Sequence, residues 1–238
     1  MHVLKTLLLL CLLPAFLACS GQGPAVQIVG KTTAGGNQYS LFYPQGTAIQ
    51  ITTTRPDAAN SRYQLSVAAA YTDLDTDQPL DLLVSNGREL QPRPKVGFLD
   101  GMLMLVNDSL AITRIPEQSQ FRAAAARMQR QSGTLLLQEL LVQEGRSVHA
   151  AGGSAFQRRA LVELADHRFV VAESVGDDLT LKQFGDDLRE LGARNALYLD
   201  MGDWDEGWYK TGGRVVKLGH RRTETARQSN WLVMGQLD

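Results

Sequence analysis

The stretch from Thr180 to Tyr209, TLKQFGDDLRELGARNALYLDMGDWDEGWY, decides how the chain is read. Thr180 followed by Gln183 has the spacing of a capping box, and Leu181, Phe184, Leu188 and Leu191 fall on one helical stripe. Asp177 and Asp178 stand just before it, where carboxylates suit the positive end of a helix, and Gly192 is placed to stop it. Ala196 to Leu199 is short and apolar, which predicts a buried strand delivering Asp200 at its carboxyl end. The expected loop beyond holds Gly202, Asp203, Trp204, Asp205, Glu206, Gly207 and Trp208. A rigid helix and strand holding up acids and indoles suits a functional site; an ordinary solvated turn is the competing reading.

Upstream, Val26 to Ser85 reads mostly as strand, in the segments VQIVGKTT, YSLFYP, TAIQITTT and RYQLSVAAAYTD, each bounded by Gly, Pro, Asn or Asp. Asp73, Asp75 and Asp77 alternate like the opening of a calcium loop. No glycine follows at the sixth position, however, and Val84 stands where the bidentate glutamate belongs, so the segment reads as a solvated turn. Leu80 to Val84 predicts a strand, Asn86-Gly87 a turn, and Val96 to Val106 a hairpin turning at Asp100-Gly101. Ser119 to Gln131 predicts a helix with Arg122, Arg127 and Arg130 on a solvated face. Leu135 to Val142 is apolar and too short to distinguish strand from helix. Ala160 to Ala165 and Arg168 to Ala172 predict a second hairpin, and strands near Gly213–Leu218 and Trp231–Gln236 close the chain. The expected fold class is α+β: a single mixed α/β domain with a largely N-terminal β region and the helix–strand–loop site unit near the C-terminus.

The first 18 residues carry one Lys and a Leu-rich run of about 12 residues, shorter than the roughly 20 needed to span a bilayer. They read as an export signal peptide. Leu17-Ala18-Cys19 resembles a bacterial lipobox, making Cys19 the lipidated first mature residue; ordinary signal-peptidase cleavage nearby is the alternative. Residues 19–25 then form a tether and 26–238 one globular domain. Both cysteines, Cys11 and Cys19, lie in the leader region, so the domain has no internal disulfide, cysteine zinc site or thiol nucleophile. With 24 basic and 25 acidic residues the net charge is -1, which gives no electrostatic reason to expect nucleic acid as partner. Membrane contact would come through the N-terminal lipid.

The sequence has no Walker loop, no G-x-S-x-G elbow and no H-E-x-x-H, and His149, His167 and His220 are scattered. Carboxylate chemistry fits better. Asp200, Asp203, Asp205 and Glu206 lie within seven residues, enough for an acid and a base or for an oxygen-rich site for a divalent cation such as calcium; no metal ligand set is assigned. Trp204, Trp208 and Tyr209 offer flat faces for a sugar ring, so glycosyl transfer is the chemistry this loop suits.

The order of segments resembles the phosphodiester glycosidase family. The matching pieces are Arg158-Arg159-Ala160-Leu161, Leu179 to Gly192, Ala196 to Gly202, and Asn230 to Val233, and the resemblance covers roughly residues 65 to 236. It implies a mixed α/β domain that hydrolyses a glycosidic bond next to a phosphate. Asp200 matches the aspartate of the family's L-D-G-G-G-S motif and is the leading catalytic candidate, as acid, base or nucleophile. Glu206 or Asp203 would be the second carboxylate, Arg159 the phosphate clamp, Gly202 a retained glycine at the substrate, and Trp204 and Trp208 the sugar platform. The chain departs from the family at Leu199-Asp200-Met201-Gly202-Asp203-Trp204, and again where an N-G-G-F type of motif is replaced by Tyr71-Thr72-Asp73-Leu74-Asp75. The implied protein is an exported, lipid-anchored hydrolase of the cell envelope acting on a glycan or glycosyl phosphodiester. A non-catalytic glycan-binding lipoprotein on the same fold is the alternative, and a structural envelope protein a third.

Overall fold

The computed structural model describes residues 25–115, 118–201, 206–220 and 226–236. The expected leader, Cys19, most of the tether and Gly202, Asp203, Trp204 and Asp205 lie outside the described residues. In chain order, β1 (Ala25–Thr32), β2 (Gln38–Gln45), β3 (Ala48–Thr52) and β4 (Tyr63–Ala68) are followed by the short β5 (Thr72–Asp73) and β6 (Gln78–Pro79). Next come β7 (Leu82–Ser85), β8 (Arg88–Glu89), β9 (Gly101–Val106), β10 (Ser109–Arg114) and α1 (Gln118–Arg130). After them run β11 (Thr134–Gln138), β12 (Leu140–Gln143), β13 (Arg146–Ser147), β14 (Arg159–Leu164), β15 (Phe169–Ser174) and α2 (Leu181–Glu190). The last elements are β16 (Ala193–Leu199), β17 (Gly207–Thr211), β18 (Arg214–Lys217) and β19 (Trp231–Gly235).

Among the described residues strand takes up 48% and helix 11%, which overturns the expected α+β class: the fold is mostly antiparallel β. The cause is local. Four two-residue turns, Asn86-Gly87, Asn107-Asp108, Glu144-Gly145 and Gly212-Gly213, hold both residues at positive φ, and each folds its flanking strands back as an antiparallel hairpin. Asn86-Gly87 is a turn as the sequence predicts. The hairpin expected to turn at Asp100-Gly101 turns instead at Asn107-Asp108. Gly101 opens β9 for a different reason: a Cβ there would stand 2.3 Å from Leu197 Cδ1 and 2.8 Å from the Gln138 carbonyl oxygen. Gly101→Ala should therefore lower stability by about 1–3 kcal/mol, read as a shift of the urea midpoint at unchanged slope.

Three sheets carry the core. The seven-stranded sheet has the order β1-β2-β15-β14-β16-β12-β13, and the five-stranded sheets run β10-β9-β11-β7-β8 and β18-β17-β4-β19-β3. Leu161, Val171, Leu197 and Leu199 of the first meet Leu65, Val67, Leu232 and Met234 of the last in one apolar cluster. The other face of the seven-stranded sheet is covered by α2, whose Phe184 and Leu188 pack with Leu141, Val162 and Tyr198. Each such burial is worth about 1.5–3 kcal/mol. The sequence signals for α2 are realised in full: Thr180 makes both halves of the capping box with Gln183, and Gly192 has φ 94° just past the end. α1 similarly lays Phe121 and Met128 on Leu83, Leu135 and Leu137, leaving Arg122, Arg127 and Arg130 exposed. The apolar run Leu135–Val142 resolves into two strands of different sheets, β11 and β12, with Glu139 at the crossing.

Candidate active site

The antiparallel pairing decides what converges. β16 runs against both β14 and β12, so its carboxyl end lies beside their amino ends. Tyr198 N donates to Glu139 O at 3.0 Å, and Asp200 N donates to Ala69 O at 2.9 Å, which ties in the end of β4. Asn230, fully buried just before β19, completes the frame. Its Oδ1 accepts from Ala70 N at 2.6 Å and its Nδ2 donates to Ala70 O at 3.0 Å, so one carboxamide does the work of a paired strand. That clamp presents Tyr71.

At this edge a polar cluster is built from residues far apart in sequence. The Tyr71 hydroxyl donates to Glu139 Oε1 at 2.6 Å, and His149 Nε2 lies 2.6 Å from Glu139 Oε2. Tyr71 and Tyr198 pack with ring centroids 6.1 Å apart. Arg158 Nη1 donates to the Tyr198 hydroxyl at 3.4 Å and Nε to Leu179 O at 2.8 Å, while Nη2 donates to Ser154 O. Of its five N–H donors, two are uncommitted among the described residues. Asp200 is 7% exposed. Burial pushes the Tyr71 phenol well above its ordinary value, aided by Tyr198, Glu139 and the charge of Asp200. Tyr198 is pushed up to about 12, chiefly by burial and further by Asp200 and Glu139, against the lowering effect of Arg158. Both phenols therefore stay protonated donors among carboxylates that favour them so.

The other candidates from the sequence sit differently. Arg159 is 0% exposed, with Nε 2.6 Å and Nη2 2.5 Å from Glu173 Oε2 and Nη1 3.2 Å from Glu206 O. Adjacent strand residues face opposite ways, so Arg158 points to the α2 face and Arg159 into the core between sheets. The buried Glu206 carboxylate pairs with Arg55 and accepts from Trp231 Nε1 at 3.2 Å. Gly207 and Trp208 belong to β17, where they pair with Val67 and Ser66, and not to the expected loop. Trp208 is 9% exposed, and Lys210 Nζ lies 5.6 Å from its ring, so its faces are largely covered. Gly202, Asp203 and Trp204 lie outside the described residues.

Asp73 forms the turn expected of the acidic segment: its Oδ1 accepts from Asp75 N at 3.0 Å and Thr76 N at 3.3 Å, and these backbone bonds hold its carboxyl below the usual range. Asp77 pairs with Arg227 at 2.7 Å. Among the described residues no three His, Asp or Glu side chains gather as a metal site. Nor is any described helix long and apolar enough to cross a membrane.

Glu139, His149, Tyr71, Tyr198 and Arg158 were thus not singled out as site residues from sequence. Arg158, Tyr71 and Tyr198 stand inside the quoted motif segments; Glu139 and His149 give no signal short of the tertiary fold.

No curated protein sequence matches the chain. Among solved structures, the catalytic domain of a zebrafish N-acetylglucosamine-1-phosphodiester alpha-N-acetylglucosaminidase, auto-inhibited by its pro-peptide, superposes with a TM-score of 0.56 at 12% identity, covering 88% of this chain and 81% of that one. A hypothetical protein from Synechocystis superposes with a TM-score of 0.58 at 15% identity, over 88% of this chain but 61% of the other, so the chain spans less than two thirds of that protein. At these identities the likeness is one of fold. Residues 61–228 match the phosphodiester glycosidase family, a range that contains Tyr71, Glu139, His149, Arg158, Tyr198 and Asp200, and the chain belongs to that family.

Proposed function

We propose that this protein is an exported, lipid-anchored hydrolase that cleaves the glycosidic bond of a glycosyl phosphodiester at the cell envelope. The observation that carries the reading is the cluster of Tyr71, Tyr198, Arg158 and the Glu139–His149 pair at the edge where β16 delivers Asp200, inside the family-matched range. Export and anchoring rest on the apolar leader and on Cys19.

In such a reaction the bond from the anomeric carbon to the phosphate oxygen breaks, and the oxygen departs with the electron pair as a phosphate monoester. A phosphate leaves without full protonation, because its second pKa is only about 6. Cations that balance developing negative charge therefore matter more than a strong acid. Arg158, with its uncommitted donors, and His149, when protonated, are the groups placed to supply that charge. Asp200 takes the proton of an attacking water, or attacks the anomeric carbon itself and forms an ester that water opens. Glu139 orients His149 and holds the Tyr71 hydroxyl.

The test is product release from a panel of glycosyl phosphodiesters and envelope glycans by purified protein spanning residues 20–238, with Asp200→Asn alongside. Release by the wild type alone supports the reading. Binding by both proteins with no release by either would leave a glycan-binding lipoprotein. Glu139→Gln should lower kcat by about 10²-fold, because His149 and the Tyr71 hydroxyl lose the carboxylate that holds them; a merely structural Glu139 would change stability and leave kcat in place.

A further inference from the structure

Beside the candidate site lies a cleft of about 920 Å3, within the usual size of ligand pockets. It is lined by Gln78 and Pro79 of β6, by Gln228 and Ser229, and by the connection from Arg88 to Lys95. The two sites share a wall. Ser229 Oγ meets Thr72 Oγ1 at 2.9 Å, and Leu80 N, next to the lining Pro79, returns to Tyr71 O at 2.7 Å, so the wall of the cleft is bonded to the residues presenting Tyr71.

The lining has two properties that point to one kind of occupant. Arg88, Arg93 and Lys95 bring three cations, of which Arg88 and Arg93 are exposed and make no ion pair among the described residues. Of the carboxylates beside them, Asp77 is paired with Arg227, while Glu89 accepts from the uncharged Gln129 amide and keeps its charge, so the three cations outnumber the two lining carboxylates by one. The second property is a pair of carboxamides with fixed orientation. Gln228, 3% exposed, donates through Nε2 to Asn230 O at 2.9 Å, and Gln91 donates through Nε2 to Pro79 O. Each amide oxygen is thereby committed to accept, and neither has a donor. An acceptor left so costs about 1–3 kcal/mol, and an occupant whose hydroxyls reach these side chains would recover part of that cost. The connection is also held ready, since the buried Asp81 carboxylate accepts from Lys95 N and from Val96 N at 3.1 Å.

Cations at the rim and hydroxyl acceptors in the wall suit an occupant that is both anionic and polyhydroxylated. We infer that the cleft holds the continuation of a phosphate-bearing glycan, so that the substrate is a chain of sugars joined by phosphodiesters and not a single glycosyl phosphodiester. This rests on the glycosidase reading above, but its test does not depend on turnover.

Titration calorimetry on the Asp200→Asn protein would compare a single sugar phosphodiester, a chain of several such units, and inorganic polyphosphate of equal charge. The chain should bind about tenfold more tightly than the single unit, as two screened ion contacts allow, and this margin should shrink as salt rises. Replacing both exposed arginines, Arg88→Ala with Arg93→Ala, should remove the margin while circular dichroism shows the fold intact. Equal affinity for chain and single unit would overturn the inference, as would a margin untouched by the double substitution. Polyphosphate binding as well as the glycan chain would reduce the cleft to a general anion patch. Binding to phosphatidylglycerol vesicles through the same arginines, without binding of the chain, would make it a lipid contact instead. An intact margin together with no turnover of any substrate by the wild type would sink the hydrolase reading and leave the cleft standing.

Discussion

Asp200→Asn should reduce glycosidic cleavage by roughly 10³-fold, a loss of about 4 kcal/mol of transition-state stabilisation, while the protein stays folded. The chemistry sets the size of the effect. An amide can neither take a proton from water nor attack an anomeric carbon at neutral pH, and the neighbouring Tyr71 and Tyr198, held protonated, cannot stand in as bases. The fold should survive because the backbone bond from residue 200 to Ala69 O does not involve the side chain and because asparagine keeps the carboxylate's shape. The two limiting kinetic outcomes separate the roles. A fall in kcat with KM unchanged places Asp200 at the reacting bond; a rise in KM with kcat preserved places it in ground-state binding and removes it as the catalytic carboxylate.

How much of this was legible follows from how local each signal is. The run from Thr180 to Asp200 reads correctly because a capping box, an apolar stripe and a terminal glycine all lie within one helix and its exit, so nothing distant is needed to interpret them. Asp100-Gly101 shows the opposite. A glycine needed because Leu197 and the Gln138 backbone crowd it looks, in sequence, like a glycine needed for a turn. The class of the fold slipped for a related reason: the helices are compact and strongly signalled, whereas Leu135–Val142 becomes strand only because two sheets diverge at Glu139. Gly207 and Trp208 read as loop from their acidic, glycine-containing surroundings, yet the unsatisfied edge of β4 draws them into a strand. In the candidate site, Asp200 sits beside a motif and was visible. Glu139 and His149 act through hydrogen bonds to residues brought near only by sheet pairing, and no spacing rule encodes them. Of the neighbouring arginines, sequence favoured Arg159; strand alternation sends it inward and leaves Arg158 among the tyrosines.

Arg159→Met should lower stability by about 3–5 kcal/mol, because it strands the Glu173 carboxylate inside the core. For a chain of this size that is a fall in Tm on the order of ten degrees. Arg159 ties β14 of the seven-stranded sheet to the Glu206 carbonyl at the entry to β17 in its neighbour, so the loss would fall on the contact between the two sheets. Adding Glu173→Gln should recover much of the stability: it removes the unpaired charge and keeps an oxygen for the Gly219 N–H that now approaches Glu173 Oε1 at 3.3 Å. Such coupling is the signature of a strut whose partners are each other. A guanidinium working as the phosphate clamp would behave otherwise, because its partner would be the substrate. Arg159→Met would then raise KM for phosphodiesters with little change in Tm, and Glu173→Gln would rescue nothing. Thermal melts of the two single variants and the double, read with KM for a single phosphodiester, decide between these outcomes, and the double buried contact to Glu173 is the reason to expect the first.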